Sequence, residues 1–226
     1  TFTPLTVLDN TSEVLRFQLT VTDDRSLTAS DNVDIIVNWV GFADDFSADT
    51  TGSYTPTQTF GAGSTFTWDS TGSRAQFDVG DNNGLKIAKA LPAGDNGVFL
   101  LDFSPSAAYP THGGIWVRLV QDAGNYYEVS NFDWGAGTPT APDLAAVKKF
   151  VGGTMVDNVA FPTTYTQGNT YNLKITFSST QVVLEGFGAP VTLNTSDTTD
   201  ISVVGFEVEM GQQDGFIDNI KLLAHP

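Results

Sequence analysis

A chain of 226 residues without a single cysteine has no disulfides, no thiolate catalysis and no cysteine-ligated zinc. Its formal charge of −16 sets it against nucleic acid and anionic membrane surfaces. No apolar run reaches the roughly 18 residues that a spanning helix needs, so membrane insertion is not expected.

The chain opens on Thr1 rather than methionine, and we expect a processed or trimmed form of something longer. A short strand is predicted near Phe2–Val7. Leu15, Phe17, Leu19 and Val21 then alternate with polar residues, as do Val33, Ile35 and Val37, across the turn-rich TDDRSLTASD. A period of two on both sides of a turn predicts an antiparallel pair. The run RFQLTVTDDRSLTASDNVDIIV resembles the last strands of the PKD/cadherin-like immunoglobulin-fold modules found in tandem in bacterial surface proteins and secreted hydrolases. A complete sandwich of that kind takes about 100 residues and seven strands, so residues 1–38 amount to an incomplete module. An orphaned pair exposes an apolar face and an open edge. The expectation is that the remainder was cut away, or that strands from another copy of the chain fill the gap.

Residues 39–43, WVGFA, read as the junction to a second domain running from 39 to 226. Strands are predicted at Thr65–Trp68, Ala75–Val79, Leu85–Ile87, Val98–Phe103, Ile115–Val120 and Tyr126–Phe132. Further strands follow at Tyr171–Phe177, Gln181–Phe187, Ile201–Met210 and Phe216–Leu222. The one helical turn expected lies near Pro142–Lys148, beside the longest irregular stretch, Gly135–Ala146. Many strands with no helical period predict an all-β sandwich or barrel.

The segments DDFS, GNYYEV, YNLKITFSSTQVVLEG and GFIDNIKL, in that order, are similar to a concanavalin A-like (laminin-G/lectin-type) jelly-roll over residues 43–223. The resemblance implies two antiparallel sheets, one convex and one concave, the concave one commonly carrying glycan recognition. It also implies that first and last strands lie side by side, often near a structural Ca²⁺. An acidic residue in the position of Asp218 would give that ion a side-chain oxygen, with backbone carbonyls from the opening segment completing the site and Asp44 and Asp45 as further candidate ligands there. By residue chemistry alone, Ca²⁺ is a hard cation that needs several oxygen ligands. The oxygen-rich run DVGDNNG lacks the spacing of an EF-hand. His112 and His225 are too far apart in sequence to suggest a histidine metal site.

Side chains alternate across a strand, so Trp116 and Arg118 share a face opposite Ile115, Val117 and Leu119. Tyr126, Glu128 and Ser130 likewise oppose Tyr127 and Val129. Sugars present apolar C–H patches ringed by hydroxyls, and a site for them needs aromatic planes and a few polar groups. Trp116, Arg118, Tyr126 and Glu128 supply both, with Trp134, Phe132 and His112 as a rim. The competing reading covers Trp116 and Tyr126 and spends Arg118 on Glu128. Lys174, Glu185, Glu207 and Glu209 also point outward, and strand order decides which of them join this face. Retaining glucanases of this fold carry an E-x-D-x-x-E strand; it is missing here, and Glu207-x-Glu209 is the nearest pair, so catalysis is not expected. The leading expectation is a non-catalytic extracellular module of a bacterial surface or secreted protein, serving adhesion or binding a glycan or polysaccharide. The alternative is a filament subunit whose partial module is completed by a neighbouring copy.

Overall fold

The computed structural model describes residues 13–37, 40–106, 113–133, 145–162, 166 and 168–225. The predicted N-terminal pair forms: β1 (Glu13–Thr22) and β2 (Thr28–Val37) run antiparallel in a sheet of their own, from Glu13↔Val37 to Thr22↔Thr28. Asp23 closes the turn between them, its Oδ1 accepting from the backbone N–H of Arg25 and Leu27, as aspartate does in turns. The strand predicted at Phe2–Val7 lies outside the described residues.

Residues 40 onward fold into two antiparallel sheets packed face to face. One contains β4 (Thr55–Phe60), β7 (Gly84–Gly94), β9 (Gly113–Val120), β10 (Tyr126–Asp133), β11 (Ala145–Val151), β12 (Thr154–Ala160) and β16 (Val203–Gly211), in the order β12-β11-β10-β9-β16-β7-β4. The other contains β5 (Thr65–Asp69), β6 (Arg74–Asp78), β8 (Asn96–Pro105), β13 (Tyr171–Phe177), β14 (Gln181–Glu185), β15 (Val191–Asn194) and β17 (Gly215–His225), in the order β15-β14-β13-β8-β17-β6-β5. An eighth strand, β3 (Val40–Asp44), pairs with β17. The expected junction WVGFA is therefore strand from Val40 on. Val40 and Phe42 pair there with Leu223 and Leu222 near the end of the chain.

Alternation builds the core between the sheets. Ile115, Val117, Leu119, Tyr127 and Val129 face inward from the first sheet, and Phe99, Leu101, Phe103, Leu173 and Ile175 from the second; all are buried. Phe99 and Phe206 span the gap with ring centroids 4.9 Å apart. Such aromatic pairs contribute beyond the area they bury.

The helical turn expected near Pro142–Lys148 is not there from Ala145 onward: those residues form β11, and residues 142–144 lie outside the described residues. Alanine and lysine favour helices locally. The ladders to β10 and β12 override that preference, and the period of two sends Ala145, Val147 and Lys149 inward. The sequence signal for this hairpin is Gly152-Gly153, with φ of +58° and +78°. Two glycines with positive φ are what a tight primed turn between β11 and β12 requires.

β17 changes partner along one edge. Gly215–Ile217 pair with β6 and Ile220–Leu223 pair with β3, while β8 runs along the other edge. The register breaks between Asp218 and Lys221, where Asn219 adopts a φ of +50°. First and last strands of the domain thus lie side by side, and Asp218 sits at the break.

Candidate functional site

Strand order in the first sheet brings a row of charges together on its outer face. Lys148 (β11), Glu128 (β10), Arg118 (β9) and Glu207 (β16) are direct cross-strand partners in sequence across four neighbouring strands. Arg118 donates from Nε to Glu128 Oε2 at 2.8 Å, and from Nη1 to Glu209 Oε2 at 3.3 Å and Glu207 Oε2 at 3.5 Å. Lys148 Nζ donates to Glu128 Oε1 at 3.1 Å, and Lys86 Nζ (β7) donates to Glu207 Oε1 at 2.7 Å. The row is packed closely enough that Glu128 is only 5% exposed. Burial works against the charge on Arg118, but Glu128 first, then Glu209 and Glu207, outweigh it and raise its pKa above the usual arginine value.

Tyr126 stands beside this row. Its ring stacks on Phe150 across the β10–β11 ladder, centroids 4.5 Å apart and planes at 16°. The Arg118 guanidinium carbon lies 5.8 Å from the Tyr126 centroid on the β9 side. Two neighbours therefore hold the ring upright. Burial, followed by the charge of Glu128, pushes the Tyr126 phenol above its ordinary pKa.

Between Tyr126 and the Lys86–Glu207 pair opens a cleft of about 200 Å³, lined by Lys86, Arg118, Val120, Asp122, Ala123, Tyr126 and Glu207. Val120 and Ala123 give it an apolar surface. Asp122 is spent on its own turn, accepting from the N–H of Gly124 and Asn125 and from Asn125 Nδ2. The Asn125 side chain accordingly holds its carboxyl below the usual range. Among the described residues no hydrogen bond is made by the Tyr126 hydroxyl or by Arg118 Nη2, and both residues line the cleft.

No protein-family model matches the chain, and no curated protein matches it. Solved structures do. A protein of unknown function with a galectin-like fold from Bacillus subtilis aligns at TM-score 0.61 and 10% identity, over 81% of this chain and 95% of that one. The CBM2 module of the evolved Dit protein of Lactobacillus casei BL23 phage J-1 aligns at 0.59 and 14%, over 83% and 96%. The apo Crh5 transglycosylase aligns at 0.55 and 13%, over 82% and 84%. The two-sheet domain is a galectin-like jelly roll. At these identities the likeness is one of fold.

Within the jelly roll the sequence-predicted residues separate. Arg118 and Tyr126 line the cleft, and Glu128 lies behind it between Arg118 and Lys148. Trp116 is one position further along β9 on the same face, opposite Glu209 and Ser130. Trp134 and His112 lie outside the described residues. Of the outward charges left open by the sequence, Glu207 and Glu209 join this face. Lys174 and Glu185 sit on the other sheet, paired with each other at 2.6 Å. Lys86, Asp122 and Lys148 were missed as site residues. The first two carry no local signal, and Lys148 falls at the end of the expected helical turn but lies in β11.

The three aspartates at the ends of the jelly roll also differ. Asp44 is buried and turned inward, accepting from Phe46 N–H, from the Thr50 hydroxyl and from the Tyr54 hydroxyl at 2.8 Å. It organises the aromatic cluster of Phe42, Phe46 and Tyr54. Asp45 accepts from Ser47 N–H, and Asp218 from Asn219 N–H. Burial first, then the charges of Asp102 and Asp45, hold the Asp218 carboxyl above its usual range. Among the described residues no group of three or more His, Asp or Glu side chains is placed to hold a metal. A Ca²⁺ at Asp45 and Asp218 would therefore need backbone carbonyls to fill its six to eight oxygen positions.

Proposed function

We propose that this chain is a non-catalytic carbohydrate-binding module of an extracellular, surface-attached or secreted protein, and that it serves adhesion. A sugar is held in the cleft on the outer face of the seven-stranded sheet. The observation that carries this reading is the Tyr126 ring, fixed between Phe150 and Arg118, walling a cleft that also offers hydrogen-bonding groups. A fixed aromatic ring beside polar groups offers a sugar both apolar and hydrogen-bonding contact at small entropic cost. Trp116 extends the same surface. A glycosidase needs one carboxyl free to protonate a leaving group. Both oxygens of Glu207 are taken by Lys86 and Arg118, and Glu209 is tied to Arg118, which supports binding without catalysis. A Ca²⁺ shared by Asp45 and Asp218 would tie the first strand of the jelly roll to its last.

Glycan-array screening followed by affinity electrophoresis tests the reading. Tyr126→Ala is expected to weaken retention by about tenfold or more, the loss of a ring contact and of its hydroxyl, and Trp116→Ala by less. A wild-type chain that is retained by no glycan, or a Tyr126→Ala variant that binds as well as wild type, would sink it.

A second reading is a filament subunit, supported by the pairing of β1 with β2 alone among the described residues, which leaves both outer edges open. Strands from a neighbouring copy would complete the module head to tail. Electron microscopy and sedimentation of the intact chain decide it: a monomer at every concentration rules out the filament.

A further inference from the structure

We infer that the cleft is built for a neutral saccharide unit and rejects uronates and other acidic sugars; the inference rests on the carbohydrate-binding reading above. Recognition of a sugar carboxylate takes a cation with charge to spare, commonly a bidentate arginine. Here every cation near the cleft among the described residues is already balanced. Lys86 is engaged by Glu207, Lys148 by Glu128, and Arg118 by Glu128, Glu207 and Glu209. Three cations meet three carboxylates, and Asp122 at the cleft wall leaves one negative charge in excess. An incoming carboxylate would face Glu207 and Asp122 and give up its water without gaining a free counter-charge. The chain's overall charge of −16 adds long-range repulsion.

What the cleft offers instead is neutral chemistry. The Arg118 Nη2 group and the Tyr126 hydroxyl are donors suited to sugar hydroxyls, and Val120 and Ala123 supply an apolar surface beside the Tyr126 ring. The volume of about 200 Å³ is below the roughly 300 Å³ at which drug-sized pockets begin. It accommodates one ring of a chain rather than a long segment.

The test is affinity electrophoresis of the full chain against neutral polymers (mannan, galactan, levan, hydroxyethylcellulose) and acidic ones (polygalacturonate, alginate), each at two salt concentrations. Retention by at least one neutral polymer is expected, changing by less than about twofold between roughly 50 and 500 mM NaCl, since no net charge is neutralised. Glu207→Gln releases Lys86 and part of Arg118, and is expected to gain about tenfold in polygalacturonate retention, the scale of one charge-assisted contact. Preference of the wild type for an acidic polymer, falling steeply with salt, overturns this inference and leaves the carbohydrate-binding reading intact. Retention by none of the polymers overturns both. Circular dichroism of Glu207→Gln checks that the variant is folded, and the wild-type salt series stands independently of it.

Discussion

Arg118 and Glu128 meet across the β9–β10 ladder with Nε 2.8 Å from Oε2, and Glu128 is in turn the anion for Lys148 on the next strand. One nearly buried carboxylate therefore serves two cations on two different strands. Removing it would leave both facing a low-dielectric surface with reduced compensation. Glu128→Gln is expected to cost about 3 kcal/mol, the range found when one member of a buried ion pair is removed. Urea denaturation measures this; a loss well under 1 kcal/mol would mark the row as a solvated face.

The two sheets are joined by aromatic contact as well as by the aliphatic core. Phe206 on β16 packs on Phe99 of β8 at 4.9 Å and on Phe42 of β3 at 5.8 Å. Phe206→Ala is expected to cost about 3–5 kcal/mol, the transfer term plus a cavity between rigid sheets. Thermal melting should show it as a fall in Tm with cooperativity retained.

Alkaline pH should destabilise the fold through Tyr127. Its hydroxyl donates to Ser178 O at 3.0 Å, and burial, with a smaller contribution from Asp200, pushes its pKa up to about 12 from 10.0. The folded state keeps a proton that the unfolded chain releases. The stability this represents is full below pH 10 and is lost as pH rises towards 12, by roughly 2–3 kcal/mol. Tyr54, donating to Asp44 from a buried site, acts in the same direction. Tyr127→Phe should flatten part of the alkaline slope, measured as ΔG of unfolding against pH. It should cost about 1 kcal/mol at neutral pH for the lost hydrogen bond.

Asp218 gives the opposite sign from an ordinary surface carboxylate. Its folded-state pKa is raised from 3.8, so the ionised form is disfavoured in the fold. Stability associated with it is present below the unfolded value and falls as pH rises through the raised one. In chelator at pH 7, Asp218→Asn should therefore melt above the wild type, and the difference should close as pH drops below 4. The asparagine keeps the Oδ1 acceptor that Asn219 N–H uses. Should Ca²⁺ bind there, saturating Ca²⁺ would stabilise the wild type by about 2.7 kcal/mol at a hundredfold excess over Kd, and the variant by much less. An unchanged wild-type Tm on adding millimolar Ca²⁺ would remove the metal from the account.

Much of the strand content was legible because a half-buried strand writes its burial into the sequence with a period of two. Ile115-Val117-Leu119 and Tyr127-Val129 announced a core face, and the structure buries all five. β11 was missed because Ala145, Ala146, Lys148 and Lys149 suit a helix locally; only the ladders on both sides make them a strand. The Gly152-Gly153 pair, both with positive φ, is the local signal that favours the hairpin. That the expected junction 39–43 is strand from Val40 on was not legible, because its partner, β17, begins more than 170 residues later.

The amino-acid sequence alone determined the chemical exclusions, the all-β class and the side of β9 and β10 on which the large polar and aromatic residues would stand. These follow from composition and from the two-residue alternation of a single strand, which are local properties. Tertiary structure alone decided that Glu207 and Glu209, 89 and 91 residues further along the chain, would meet Arg118 and, with Glu128, balance its charge. Strand order and register are set by the closure of the whole sandwich, where every core face must be covered at once, and no segment carries that information by itself.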